Sequence, residues 1–262
     1  MSLLGMHYVS SGQGEAVLLI HGLFGNLDNL KNLGSVLEQQ HQVIRVDLPN
    51  HGLSEHWDNM DYAQLADAMV DVLDDLYLKQ VHVIGHSMGG KIAMAMALLH
   101  PERVISLVIA DIAPVAYSPR HQTVFAGLTS LILNSKTTRK SALTHLMDAG
   151  IDEQTSQFLL KNLQRTDSGF EWKMNLTGLI ESYDRIIGWN LPLTNDKHFD
   201  KPALFIRGGE SNYVTAEYRD EIMRQFPRAS AKTLNGTGHW LHAQKPEIFN
   251  RIVSEFIEQN QG

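Results

Sequence analysis

The feature that most constrains this chain is the run Val81-His82-Val83-Ile84-Gly85-His86-Ser87-Met88-Gly89-Gly90. Its first half is short, apolar and rich in β-branched residues, which predicts a buried strand. The Ala- and Met-rich segment that follows, from Lys91 to His100, predicts a helix that stops ahead of Pro101. Between the two lies Gly85-His86-Ser87-Met88-Gly89, a G-x-S-x-G. A strand and a helix joined so tightly need small residues on either side of the serine. The serine itself is then held in a strained backbone with its hydroxyl clear of the sheet. The first N–H groups of the new helix aim at the same place. The five-residue pattern alone is common by chance, so its weight rests on this context and on partners elsewhere in the chain.

The rest of the sequence repeats the strand–helix rhythm. Residues 7–11 predict an edge strand. Ala16-Val17-Leu18-Leu19-Ile20 predicts a central strand that empties into the glycine-rich loop His21-Gly22-Leu23-Phe24-Gly25-Asn26. A helix is expected over 30–40 and a strand over 42–47. A helix over 61–77 is marked by Leu65, Met69, Val72, Leu73 and Leu76, and a strand over 104–110 ends at Asp111. The rhythm then breaks. From 113 to 199 there is no buried strand pattern, only helical patterns over about 123–133, 140–149, 153–163 and 176–187, with Arg165-Thr166-Asp167-Ser168-Gly169 reading as a connection. Strands resume over 203–207 and 229–234, and a last helix is expected over 248–259. Alternation on both sides of the break implies an α/β fold, a mostly parallel sheet with helices on both faces. Residues 1–112 and 200–262 are expected to form that core, and 113–199 a helical cap inserted over the carboxyl edge of the sheet.

Composition excludes several function classes. A chain of 262 residues with 43% hydrophobic and 19% charged residues can bury a sizeable core. A formal net charge of -7 without a basic cluster argues against nucleic acid or an anionic membrane surface as a partner. The absence of cysteine removes disulfides, thiolate metal sites and cysteine nucleophiles. No apolar run approaches the ~20 residues of a membrane span, and the first residues lack the pattern of a signal peptide, so a cytoplasmic protein without stable membrane insertion is expected.

A serine hydroxyl needs a base, and the base needs a group that orients it. Of 13 histidines, His239 lies in the glycine-rich loop Asn235-Gly236-Thr237-Gly238-His239-Trp240 after the last expected strand, with His242 as the fallback. The acid has two candidate positions. The turn Arg207-Gly208-Gly209-Glu210-Ser211 follows the penultimate strand, where a carboxylate is usual in such folds. There Ser211 stands at the expected place and Glu210 beside it. Asp111 closes the strand after the serine unit and reaches the same sheet edge, where a buried carboxylate needs a donor such as a histidine Nδ1–H. Asp111 is the first candidate and Glu210 the second. Ser211 or a water is the third arrangement, and a helix-capping role for Asp111 is the alternative. An oxyanion needs preorganised N–H donors. Met88 is expected to give one and Leu23 the other, with Phe24 as the alternate.

Together, His21-Gly22, Asp47-Leu48-Pro49-Asn50-His51-Gly52-Leu53-Ser54, Gly85-His86-Ser87-Met88-Gly89-Gly90 and Gly238-His239 resemble the α/β-hydrolase family in order and spacing. Within it the chain is most similar to the small bacterial YbfF-type esterases, on Asn50 before His51-Gly52, the Gly208-Gly209-Glu210-Ser211 turn and Asp111-Ile112-Ala113-Pro114. The resemblance implies a serine carboxylesterase or thioesterase that takes a small-molecule acyl ester or acyl thioester, with Asp111 as acid and no metal or organic cofactor. A monomer or small homo-oligomer is expected. Carbon–carbon bond hydrolases or lyases and cofactor-free haloperoxidases would use the same residues. A ligand-binding, receptor-like module would keep them without turnover.

Overall fold

The computed structural model describes residues 5–167, 169–191 and 197–261. Residues 1–4, read above for a signal peptide, lie outside the described residues, as does Ser168. The first elements in chain order are β1 (Tyr8–Ser11), β2 (Ala16–Ile20), α1 (Lys31–Leu37), β3 (Gln42–Val46), α2 (Tyr62–Asp75), β4 (Val81–His86), α3 (Met88–Leu99) and β5 (Val104–Ala110). Next come α4 (Gln122–Ser130), α5 (Arg139–Asp148), α6 (Glu153–Leu159), β6 (Leu163–Thr166), β7 (Gly169–Trp172), α7 (Leu176–Glu181) and α8 (Tyr183–Ile187). The chain ends through β8 (Ala203–Gly208), α9 (Arg219–Gln225), β9 (Ala229–Leu234), α10 (Leu241–Gln244) and α11 (Pro246–Glu258).

Seven strands form one sheet in the order β1-β3-β2-β4-β5-β8-β9. Only the edge pair β1–β3 is antiparallel, and the other neighbours run parallel. Every residue of β2 and β4 is buried, as expected of strands covered on both faces. One face, with Val17, Leu19, Ile84 and Val108, packs against Leu33 and Leu37 of α1 and Phe249 and Val253 of α11. The other face, with Leu18, Ile20, Val83 and Ile109, packs against Leu65 and Met69 of α2 and Ile92 and Met96 of α3. The alternation of these residues along each strand is the two-residue period of the pleat.

The registers bring the strand ends level. Ile20 pairs with Gly85, His86 with Ala110, and Ala110 with Ile206. The residues that follow β2, β4, β5, β8 and β9 therefore emerge side by side at the carboxyl edge, where parallel α/β sheets bind ligands. The tight turn after β4 depends on its glycines. A Cβ at Gly85 would lie 2.1 Å from Gly89 O, and one at Gly89 would lie 2.3 Å from Ile20 O.

Between β5 and β8 the chain leaves the sheet. Helices lie at the four expected places, but the third ends at Leu159 and passes into a 3₁₀ turn, Leu160–Asn162, and the fourth is divided at Ser182 into α7 and α8. The segment read as a connection is instead a two-stranded hairpin, β6 paired antiparallel with β7. Each strand has four residues, largely half-exposed, too short for the sequence period to register. The segment is tied to the start of α2. Tyr62 Oη donates to Ile186 O at 2.5 Å, and Met60 N donates to Ser182 Oγ at 3.2 Å.

Candidate active site

Ser87 sits between β4 and α3 with φ 54° and ψ −122°. That region is unfavourable for an L-residue, and persists only where the surroundings over-determine it. Here its N–H donates to Ala110 O at 2.9 Å, and its carbonyl accepts from Gly90 N at 2.8 Å. The backbone is fixed on both sides and the hydroxyl is left to act outward. Two more non-glycine residues with positive φ are close by in the fold, Asp111 at 54° and Phe24 at 62°.

The Ser87 hydroxyl donates to His239 Nε2 at 2.8 Å. His239 Nδ1–H donates to Asp111 Oδ2 at 2.8 Å. Asp111 is fully buried. Its second oxygen accepts from Gly208 N at 2.9 Å, and Ser211 Oγ donates to the oxygen that His239 uses. The carboxylate thus accepts three hydrogen bonds. His239 stacks on Tyr213, ring centroids 3.9 Å apart, and its carbonyl accepts from His86 Nε2 at 2.8 Å. Burial pushes the His86 imidazole well below 6.5, and the neighbouring His242 and His239 add to this, so it remains a neutral donor.

The remaining candidates fall elsewhere. Glu210 is exposed, and the contact it makes to the His239 loop is through its backbone, N to Thr237 O at 2.9 Å. His242 lies on α10, buried, with its pKa lowered to about 3 chiefly by desolvation.

The loop after β2 supplies the oxyanion candidates. Gly22 O accepts from Gly25 N at 3.0 Å and from His21 Nδ1–H at 2.8 Å. In a trans peptide the N–H points opposite the C=O, so Leu23 N–H points away from both donors. The N–H of Phe24, the alternate, is already used. It donates to His51 Nε2 at 3.1 Å. Met88 heads α3, where a helix leaves its first N–H groups without intrahelical partners. Leu23 and Met88 line the same cavity as Ser87.

Two cavities meet at Ser87. One runs inward past Tyr62, Met88, Lys91, Ile112 and Ile187. The other opens between Phe24, Val124, Phe158 and Trp240. Both have walls from the segment between β5 and β8. The inward cavity holds a buried lysine. Lys91 Nζ donates to Ile187 O at 2.9 Å and Gly188 O at 2.7 Å, and faces the rings of Tyr117 and Tyr62. Desolvation, assisted by the Arg120 charge, lowers its pKa to about 7.

Sequence reasoning missed four residues of this site. His21 and His51 were visible as motif members, but their task, accepting and donating backbone hydrogen bonds, is a property of the folded loop. Lys91 was hidden inside an apolar helix, where a lone lysine four residues after the serine was the available signal. Tyr213 carried no signal. Among the described residues, no group of three His, Asp or Glu side chains is placed to hold a metal ion. No helix among them is long and apolar enough to cross a membrane.

Esterase YbfF of Escherichia coli is 41% identical over 243 residues, 92% of each chain. The sn-1-specific diacylglycerol lipase ABHD11 of Mus musculus is 35% identical over 250 residues, 92% of this chain and 80% of its own. A solved structure named marine microorganism esterase superposes with a TM-score of 0.92 at 35% identity, covering 97% of this chain and 99% of its own. The alpha/beta hydrolase fold family matches residues 15–246. On the sheet order, the carboxyl-edge site and these likenesses together, the chain belongs to the alpha/beta hydrolase fold family.

Proposed function

We propose that this protein is a serine carboxylic ester hydrolase acting on small acyl esters or thioesters, with residues 113–199 as a cap over the site. The observation that carries this reading is the continuous path Ser87 Oγ, His239 Nε2, His239 Nδ1, Asp111 Oδ2, with 2.8 Å at each hydrogen bond. Relatives named esterase and lipase support an ester as the substrate class.

In this reading His239 takes the Ser87 proton as Oγ attacks the acyl carbonyl. The Leu23 and Met88 N–H groups stabilise the oxyanion that forms. His239 then gives its proton to the leaving alkoxide or thiolate, and the acyl group stays on Ser87. Water enters, His239 removes its proton, and a second tetrahedral intermediate collapses to the free acid and restored serine. Asp111 holds the imidazole in the Nδ1–H tautomer and stabilises its charged form. The apolar walls on both sides of Ser87 suit an acyl chain and a leaving group of modest polarity.

The test is hydrolysis of a panel of p-nitrophenyl esters and acyl thioesters of graded chain length by wild type and Ser87→Ala. Wild type is expected to turn over at least one class, and Ser87→Ala none while remaining folded. Near wild-type turnover by Ser87→Ala would end the proposal.

A further inference from the structure

We infer that Asn162, from the segment between β5 and β8, is a positioning residue for the oxyanion donor Leu23 N–H. The inference rests on the ester-hydrolase reading of the site.

Asn162 is almost fully buried, and its Nδ2 donates to Phe24 O at 2.6 Å. Phe24 O belongs to the peptide that also carries the Gly25 N–H. That N–H donates to Gly22 O at 3.0 Å. Gly22 O belongs in turn to the peptide that carries the Leu23 N–H. Each peptide is planar and trans, with N–H and C=O opposed. The amide of Asn162 therefore fixes one plane, and that plane fixes the next. Two peptides connect the cap side chain to the oxyanion donor.

The rest of the loop removes the slack. Phe24 has φ 62°, a conformation that needs support from its surroundings. His51 Nε2 holds its N–H at 3.1 Å while Asn162 holds its carbonyl. A Cβ at Gly25 would meet Asn29 Oδ1 at 2.7 Å and Gly22 O at 2.8 Å, so the turn is closely packed at this position. The Phe24 ring packs edge-on against Phe125 of α4 at 5.2 Å, a second tie to the same segment.

Two observations separate this role from plain packing. Asn162 Oδ1 is buried with no partner among the described residues. An amide with an orphaned acceptor is a poor core residue, so the position uses the donor and tolerates the rest. The Asn162 backbone is itself pinned, with its carbonyl accepting from Lys173 N at 2.8 Å. The donor therefore reports where the cap segment is seated. When the segment is displaced, Phe24 O loses its partner and the oxyanion loop loses a constraint. The cap would then complete the reactive centre as well as roof it.

The test compares wild type, Asn162→Leu, Asn162→Asp and Ser87→Ala on a short p-nitrophenyl ester. For the proteins that keep Ser87, kcat is counted per site titrated with a fluorophosphonate, so unfolded protein does not enter the ratio, and Ser87→Ala is counted per mole of folded chain. Losing an oxyanion donor outright lowers kcat by about 10²–10³, so misaligning one is expected to lower it roughly 10- to 100-fold, more in the Asp variant. KM is expected to stay within about threefold, and affinity for an alkyl trifluoromethyl ketone, whose adduct carries the oxyanion, to fall by the same factor as kcat/KM. The Leu variant keeps size and burial and decides the matter if the Asp variant does not fold. A titrated kcat within about twofold of wild type, or a loss confined to KM with ketone affinity unchanged, overturns the role of Asn162. Activity remaining in Ser87→Ala would instead overturn the ester-hydrolase reading beneath it.

Discussion

Ser211 and His239 hydrogen-bond to the same oxygen of Asp111, Oδ2. Ser211 occupies the turn after β8 where the sequence pattern leads one to look for the acid itself. The carboxylate comes from the neighbouring strand end, and the β8 turn contributes a hydroxyl and the Gly208 N–H around it. Both positions thus face the histidine, one directly and one through Asp111.

The first prediction concerns this division of labour. Asp111→Asn is expected to lower kcat by about 10⁴, because an amide at that position favours the wrong imidazole tautomer. Ser211→Ala removes one of three donors to the carboxylate and is expected to lower kcat roughly 3- to 30-fold, in line with the loss of one hydrogen bond to a charged group. Glu210→Gln is expected to stay within about twofold, as an exposed side chain with backbone contacts alone. Steady-state kinetics per titrated site checks all three. A large loss in Glu210→Gln alone would exchange the roles.

The second prediction concerns the serine turn. Gly85→Ala places a Cβ 2.1 Å from Gly89 O, a backbone atom that cannot move without displacing Ser87. The expected loss exceeds about 4 kcal/mol, in the range reserved for named steric failures. In a chain of this size that corresponds to a fall in Tm of roughly 10 °C or more by calorimetry, or to insoluble protein. A Gly85→Ala variant with wild-type Tm would mean that the turn is looser than drawn.

Much of this was legible in the sequence because burial writes itself there in periods. β2 is apolar throughout, β4 and β5 are so apart from His82, His86 and Ser106, and α2 carries Leu65, Met69, Val72 and Leu73 at helical spacing. Ser87, His239 and Asp111 were legible as site candidates because each closes or follows a strand at one sheet edge. The choice among Asp111, Glu210 and Ser211 was not, since all three reach that edge. It turns on which carboxylate is buried and which points to solvent. The hairpin Leu163–Thr166 with Gly169–Trp172 was not legible either, for four half-exposed residues give no clear alternation. The relay through His51 and Asn162 depends on backbone atoms, which leave no trace in residue type.

The third prediction is acid lability set by His21 and His51. Each is buried neutral, donating from Nδ1 to a carbonyl and accepting a backbone N–H at Nε2. Burial lowers His21 from 6.5 to about 4 and, with the His21 charge adding to desolvation, His51 from 6.5 to about 3. Both folded pKa values lie below the unfolded one. Their stabilising contribution is therefore complete above pH 6.5 and is lost as pH falls towards the folded values. At pH 4 each group is expected to have removed on the order of 3 kcal/mol. Urea unfolding at a series of pH values should show stability falling between pH 6.5 and 4. His51→Gln, whose carbonyl can still accept the Phe24 N–H, should reduce the slope by up to one proton. An unchanged slope would count against the assignment.

The last prediction concerns Lys91. A neutral amine has two N–H donors, and Nζ faces two carbonyls, Ile187 O and Gly188 O. Desolvation, with the Arg120 charge, lowers its pKa from 10.5 to about 7. The folded value again lies below the unfolded one, so the unfolded chain binds the extra proton between them. Stability should therefore rise with pH from about 7 towards 10.5 and be lost as pH falls back, with a slope of at most about 1.4 kcal/mol per pH unit. The range 7.5 to 9.5 isolates this group. Histidines with lowered pKa values act below 6.5, and the buried Tyr62 and Tyr117, raised by burial above 10, act at higher pH with the opposite sign. Lys91→Met keeps the apolar stem but leaves both carbonyls without a donor, so it should lower stability throughout this range and flatten its pH dependence. Denaturant midpoints of the two proteins at pH 7.5, 8.5 and 9.5 decide the point. Parallel curves would show that Lys91 keeps its proton in the folded protein and is held as an ammonium by the carbonyls and the two tyrosine rings.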